Sequence, residues 1–328
     1  MTGATAIHVR PIMIEEIREA RTRIAHVVTR TPMFRLELGA DHPDIRLKLE
    51  NLQPTNSYKL RGAVNAVTVL PDGDRARGVW TISAGNAGQG VAYAARRAGV
   101  HCTVVAIETA PASKLARMKA LGATLVLVPY AVAWKALQER AYPGVEGTFI
   151  HPFDDDAFIT GHATMGLEIV EDVPNVSAVI AAVGGGGLVT GVASAVKALK
   201  PDVKVWGAEP ETAAPLARSF ELGSAQTFKE WQPSFVDGAG GMSVFPRMWE
   251  RMRTVVDGAI VVSLDETRRA LRMIAEQARV IAEGAGALSL AAALSGRAGG
   301  GPIVAVVSGG NIDLKKLCDI LGATEGAK

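Results

Sequence analysis

VIAAVGGGGLVTGVASAVKALK, residues 179–200, joins a short run of β-branched and small apolar residues to four consecutive glycines and then to a helix-forming stretch. The same unit recurs as VWTI-SAGNAGQG-VAYAARRAG (79–99) and as IVAVV-SGGNID-LKKLCDIL (303–321). Further buried strands are expected at HCTVVAI (101–107), ATLVLV (123–128) and VKVWGAE (203–209). Strands alternating with helices predict an α/β chain whose parallel sheets are covered on both faces. Ligands of such sheets collect beyond the carboxyl ends of the strands, where all three small-residue turns fall.

Composition narrows the function. With 328 residues, 48% hydrophobic and 21% charged, the chain can bury a large core and is too apolar to be disordered. The formal net charge is +2, and the basic residues are scattered. The densest basic stretch, RTRIAHVVTR (21–30), reads as the solvated face of an N-terminal helix, so nucleic-acid binding gains no support. Pro129 and Lys135 interrupt the longest apolar run, ATLVLVPYAVAWKAL, which is no membrane span. No signal-peptide core is expected at the N-terminus. Cys102 and Cys318 match no zinc spacing, and a reducing cytoplasm is the expected compartment.

Four glycines after a strand (Gly184, Gly185, Gly186 and Gly187) let the backbone approach a ligand, with amides and a helix N-terminus aimed at an anion. Phosphate is the usual occupant. A nucleotide P-loop is excluded, because no Gly-Lys-Ser/Thr follows. Glu209 lies at about the distance of a ribose-binding acid, yet no frame of GGGGLVTG satisfies G-x-G-x-x-G. The plainer alternative is a tight turn for helix–sheet packing. SAGNAGQG (83–90) is a second amide-rich cradle, sized for a carboxylate or a ring hydroxyl, unless Asn86 merely caps the next helix. SGGN (308–311) adds a hydroxyl at a strand end.

PTNSYKLRG (54–62) contributes the chemistry. Asn56 or Ser57 reads as an N-cap, and Leu60, Val64 and Val67 fall at helical spacing behind it. Lys59 therefore stands in the first helical turn, crowded by Arg61. A lysine beside a helix N-terminus and a second cation has a depressed pKa and a nucleophilic amine. An exposed lysine there would be an ordinary misfit of at most about 1 kcal/mol. A reactive lysine, a phosphate cup, a carboxylate-sized cradle and a serine hydroxyl at one cleft describe a phosphorylated aldehyde held on an amine, which is pyridoxal phosphate.

The chain resembles the serine/threonine dehydratase family of fold-type II pyridoxal-phosphate enzymes, which also includes serine racemases. The resemblance runs from about residue 15 to the end. It is carried in order by ENLQPTNSYKLRGA, SAGNAGQGVAYAA, HPFDDDAFITGHATMGLEI, VGGGGLVTGVA, GAEPE, AEGAGALSLAA and VVSGGNID. It implies two open, mostly parallel twisted sheets flanked by helices, as in the tryptophan synthase β chain. Residues 1–68 and 152–328 would form a large cofactor-binding domain, and 69–151 a small one.

By the resemblance, Lys59 matches the Schiff-base lysine and Asn86 the partner of the cofactor's ring hydroxyl. Gly184 to Gly187 and Leu188 match the phosphate loop, Ser308 the partner of the ring nitrogen, and Glu283 an acid near the cofactor. Ser83, Ala84, Gly85, Asn86 and Ala87 form the loop that holds the substrate carboxylate. Ala84 stands where racemases carry a second-face serine, and Ala87 where the loop usually has a histidine. Glu209 and the Ala213 carbonyl match two ligands of a divalent cation. Pro215 replaces the third, which puts a metal in doubt. SFVDGAGGMSVFPRMW (234–249) departs from the usual pattern, and no effector domain is expected after the catalytic region.

The implied activity is elimination from a β-hydroxy-α-amino acid of the L-threonine or L-serine type, giving a 2-oxo acid and ammonia. A bulkier substrate such as phenylserine or 3-hydroxyaspartate, a racemase, a β-replacement synthase and a non-catalytic nucleotide-binding protein are the alternatives. The expected partner is a small amino acid, with no nucleic acid and no membrane, and the expected assembly is a cytoplasmic homodimer.

Overall fold

A computed structural model describes residues 9–39 and 42–322. Among them the strands are β1 (Met33–Arg35), β2 (Ile45–Lys48), β3 (Val79–Ile82), β4 (Cys102–Ile107), β5 (Thr124–Val128), β6 (Thr148–Phe149), β7 (Ala178–Ala182), β8 (Lys204–Pro210), β9 (Gly258–Val262) and β10 (Ile303–Val306). One sheet has the order β1-β2-β10-β7-β8-β9, the other β5-β4-β3-β6. Every pairing is parallel except β1 with β2. The expected two-sheet α/β class, and the strands read from the sequence, are borne out.

The central strands explain why the larger sheet is covered twice. Along β7, Ala178, Ile180 and Ala182 pack into one hydrophobic cluster, while Val179 and Ala181 pack into another on the opposite face. β10 repeats this, with Ile303 and Ala305 against Val304 and Val306. Both sets need apolar partners, so the strands read as continuous apolar runs. The helix Gly284–Leu294 covers one face; apart from Ser289 it is small or apolar all round, which suits a fully buried helix. The helices Asp156–Asp172 and Gly187–Leu199 cover the other.

The chain leaves the larger sheet after β2 through the helix Lys59–Thr68, builds the smaller sheet, and returns through Asp156–Asp172. The Lys59 helix is wedged between Asn86–Ala98 and Asp156–Asp172. Its crossing with the latter needs glycine, since a Cβ on Gly62 would lie 2.5 Å from the Phe158 carbonyl oxygen. Leu60, Val64 and Val67 are buried as their spacing predicted.

Two readings are corrected. The helix that opens the described chain is Ile14–Ile24, so RTRIAHVVTR supplies only its last turn. Its arginines are not simply solvated: Arg30 pairs with Glu171 at 2.7 Å and Asp172 at 2.5 Å, Arg21 pairs with Glu171, and Arg23 donates to Asn65. Arg61, expected to crowd Lys59, is buried in a network of its own. Its guanidinium meets Glu50 at 2.8 Å and Glu168 at 2.7 Å, and Lys48 meets Glu168 at 2.6 Å. These carboxylates hold Arg61 charged and anchor the Lys59 helix to its neighbours.

Candidate active site

A cleft of about 470 Å³ opens at the carboxyl ends of strands from both sheets. It is lined by Lys59, by Ser83 to Ala87 after β3, by Gly184, Gly185 and Leu188 after β7, and by Ser308 after β10. Glu283, at the start of its buried helix, lines it too. The three small-residue turns thus converge, and Gly186 and Gly187 complete the glycine turn after β7.

Lys59 is the first residue of its helix, and the loop after β10 fixes its approach. The Tyr58 N–H donates to the Ser308 carbonyl at 3.0 Å, and Ser57 bridges to Gly309. The expected cap is not found. Tyr58 holds the N-cap position without a side-chain bond, while Asn56 adopts a left-handed φ of 54° and turns its amide elsewhere. The Lys59 amine donates to the Pro152 carbonyl and sits 5.2 Å and 5.4 Å from the ring centres of Tyr58 and Phe158. Burial among these groups lowers its pKa to about 7. The depression was expected; its cause is desolvation, not Arg61.

The glycine turn is shaped by what lies behind it. A Cβ on Gly185 would penetrate the Phe153 ring, and one on Gly187 would lie 2.7 Å from the Phe153 carbonyl. Gly186 has φ +87°, a conformation that suits glycine. The turn opens the helix Gly187–Leu199, whose first amides and positive end favour an anion.

Asn86 does not cap its helix; Gly85 stands at that position. The Asn86 side chain instead donates to Glu283 Oε1 at 2.6 Å and accepts from Asn311 Nδ2 at 2.8 Å. Burial, reinforced by Asp237, raises the Glu283 carboxyl to about 7, with Lys114 and Asn86 opposing. Ser83 Oγ accepts the Gly85 N–H at 3.1 Å and shapes the neighbouring loop.

Glu209 is not part of this cleft. Its carboxylate accepts the Leu216 and Ala217 amides, both at 2.8 Å, and so serves the N-terminus of the helix Pro215–Leu222. Burial raises its pKa to about 8 against those two bonds. This use removes it from the ribose-binding role weighed above. Among the described residues no group of three or more His, Cys, Asp or Glu side chains is placed to hold a metal.

Several lining residues carried no sequence signal. Lys114 and Asp237 form an ion pair of 2.9 Å at the cleft, and Ile107, Trp134 and Leu137 give it an apolar wall. Lys114 sits in an unremarkable amphipathic helix, so only the fold reveals its position.

Comparison with known proteins decides the family: residues 24–309 match the pyridoxal-phosphate dependent enzymes. The chain belongs to that family. It is 39% identical over 318 residues to the L-threonine ammonia-lyase of Thermotoga maritima, covering 94% of this chain and 78% of the relative. Among solved structures, the threonine deaminase of T.th. superimposes with a TM-score of 0.80 at 36% identity, covering 91% of this chain and 98% of that one. Maize serine racemase superimposes with a TM-score of 0.84 at 32% identity, covering 94% and 97%. The architecture is that of the fold-type II pyridoxal-phosphate enzymes. The site fits the family's cofactor: a buried amine of lowered pKa lines the same cleft as a glycine turn in which Gly185 and Gly187 leave no room for a Cβ.

Proposed function

We propose that this family member is an ammonia-lyase that eliminates water from a β-hydroxy-α-amino acid of the threonine or serine type, yielding a 2-oxo acid and ammonia. The observation that carries this reading is the Lys59 amine, desolvated, lowered to about 7 and facing the cleft. At neutral pH a large share of it is unprotonated and able to take a proton from the substrate α-carbon.

Pyridoxal phosphate, when bound, supplies the electron sink that makes the α-proton removable. The protein supplies the rest. Amides of the Gly184–Gly187 turn and Leu188 would hold the phosphate, Asn86 would donate to the ring hydroxyl, and Ser308 would face the ring nitrogen. Ser308 carries no charge, so it holds no proton there as an aspartate would, which favours prompt elimination. The Ser83–Ala87 loop would bind the substrate carboxylate. Ala84 brings a methyl group, not a hydroxyl, to the cleft, which speaks against racemisation. Ala87 and the apolar wall leave room for a substituent larger than that of serine, and phenylserine remains the second reading.

We further infer a large domain of residues 1–68 and 152–328 and a small one of 69–151. Every strand of the larger sheet falls in the first set and every strand of the smaller sheet in the second. The ends of that division, 1–8 and 323–328, lie outside the described residues. A cytoplasmic homodimer completes the proposal; both cysteines are free, and among the described residues no helix is long and apolar enough to cross a membrane.

The test is release of 2-oxo acid and ammonia from L-threonine, L-serine and phenylserine by the yellow purified protein. Conversion of L-serine to D-serine without 2-oxo acid would reverse the assignment.

A further inference from the structure

Asn86 can turn either its amide nitrogen or its oxygen toward the cleft, and packing alone does not choose between two groups of equal size. A chain of hydrogen bonds does. Arg117 Nη1 donates to Asn311 Oδ1 at 2.8 Å. Asn311 Nδ2 then donates to Asn86 Oδ1 at 2.8 Å and to the Thr55 carbonyl at 2.9 Å. Asn86 Nδ2 finally donates to Glu283 Oε1 at 2.6 Å, on the wall of the cleft. Every link runs in the same sense. A guanidinium has donors and no acceptor, so the far end of the chain cannot reverse.

From this geometry we propose that Arg117 is a positioning residue: through Asn311 it fixes the amide of Asn86 so that a donor, not an acceptor, meets the cofactor's ring hydroxyl. The inference rests on the reading of Asn86 given above. Arg117 belongs to the helix Ala112–Ala120, which follows β4, whereas Asn311 follows β10 in the other sheet. The second Arg117 bond, Nη2 to Asn56 Oδ1 at 2.7 Å, holds the guanidinium in register against the left-handed turn at Asn56. Without Arg117 the sense is held by the Thr55 carbonyl and Glu283 alone, and the two asparagines flip together more readily. An oxygen would then face both the ring oxygen and Glu283, and the cofactor would lose one hydrogen bond and gain a repulsion.

A merely structural staple between the two elements would explain the same contacts, and one substitution separates the ideas. Asn311→Asp keeps an acceptor for Arg117 and turns that bond into an ion pair, which offsets the bond lost to the Thr55 carbonyl and preserves the staple. It deletes the only donor that the side chain offers to Asn86. Cofactor affinity, read by fluorescence titration of the apoprotein with pyridoxal phosphate, should fall about tenfold in Asn311→Asp and in Arg117→Met. The visible absorbance of the bound cofactor should shift in both, Arg117→Lys should recover most of the affinity, and resistance of Asn311→Asp to urea should not fall. Wild-type affinity and absorbance in Asn311→Asp would overturn the proposal, even if Arg117→Met failed to fold. Asn86→Ala distinguishes the underlying reading: wild-type affinity there overturns the role of Asn86 and this inference together. Weakened binding in Asn86→Ala, with wild-type binding in Arg117→Met, overturns the inference alone.

Discussion

Arg61 stands two residues after Lys59 in one helix, yet the two cations serve separate environments: Lys59 faces the cleft, and Arg61 is enclosed by Glu50 and Glu168. Burial lowers the first to a pKa of about 7, while two carboxylates keep the second charged. Removing the guanidinium leaves the buried Glu50 carboxylate without its ion-pair partner and Glu168 with Lys48 alone. Arg61→Met should therefore cost about 3–5 kcal/mol of stability, measured by urea unfolding. A loss under about 1 kcal/mol would show that the network is dispensable.

The Lys59 amine makes apoprotein stability depend on pH. Its folded pKa of about 7 lies below the ordinary 10.5, so between these values the unfolded chain binds more protons. Stability should rise with pH across that window. Lys59→Met lacks the penalty, and its advantage over wild type should shrink by about 1.4 kcal/mol per pH unit from 7 towards 10. A constant difference across that range would mean that Lys59 is solvated.

Glu283 has the opposite sign. Its folded pKa of about 7 exceeds the ordinary 4.5, so the folded chain holds the extra proton between these values, and stability falls as pH rises through them. Glu283→Gln keeps an acceptor for Asn86 and has no charge to bury. In the apoprotein it should be more stable than wild type at pH 8 and should lose that advantage towards pH 4. Parallel stability curves would exclude a buried, raised carboxyl.

The glycine turn makes a steric prediction. In Gly185→Ala the new methyl meets the Phe153 ring, so either the ring or the turn must move. Affinity for pyridoxal phosphate should drop at least about tenfold, as one or two hydrogen bonds to the phosphate are lost. Adding Phe153→Ala should restore part of it. Equal affinity in wild type and Gly185→Ala would place the phosphate elsewhere.

Ala87 tests the substrate. It lines the cleft, and two bulky side chains that could swing towards the adjacent space are engaged elsewhere: Tyr58 packs edge-on to His162 at 4.6 Å, and Phe235 lies under Arg268. An apolar β-substituent should gain roughly 0.8 kcal/mol per methylene buried. Threonine or phenylserine should therefore have a higher kcat/KM than serine, and Ala87→His should reverse or flatten that order. Serine as the best substrate, with its rank unchanged by histidine, would end the larger-pocket idea.

What was legible in the sequence was whatever constrains the backbone locally. The Gly184–Gly187 turn, the Ser83–Ala87 loop and Ser308 each follow an apolar strand, so their convergence at one end of the sheets could be read from spacing. Lys59 was visible as a cation where a helix does not favour one. What escaped depends on partners far along the chain. Arg61 looked like a neighbour of Lys59, because Glu168 lies more than a hundred residues away. Asn56 looked like a cap, because its left-handed turn toward Arg117 has no local signature. Glu209 resembled a ligand-binding acid until the helix at Pro215 folded back onto its carboxylate.

Lys59 is predicted to be the amine that carries the cofactor and moves the proton. The most direct measurement is borohydride reduction of the yellow protein, followed by peptide mass mapping. A pyridoxyl phosphate group fixed on Lys59 is the predicted result, with neither that adduct nor 2-oxo acid formation in Lys59→Ala. An adduct on another lysine, or sustained elimination by Lys59→Ala, would remove Lys59 from both roles.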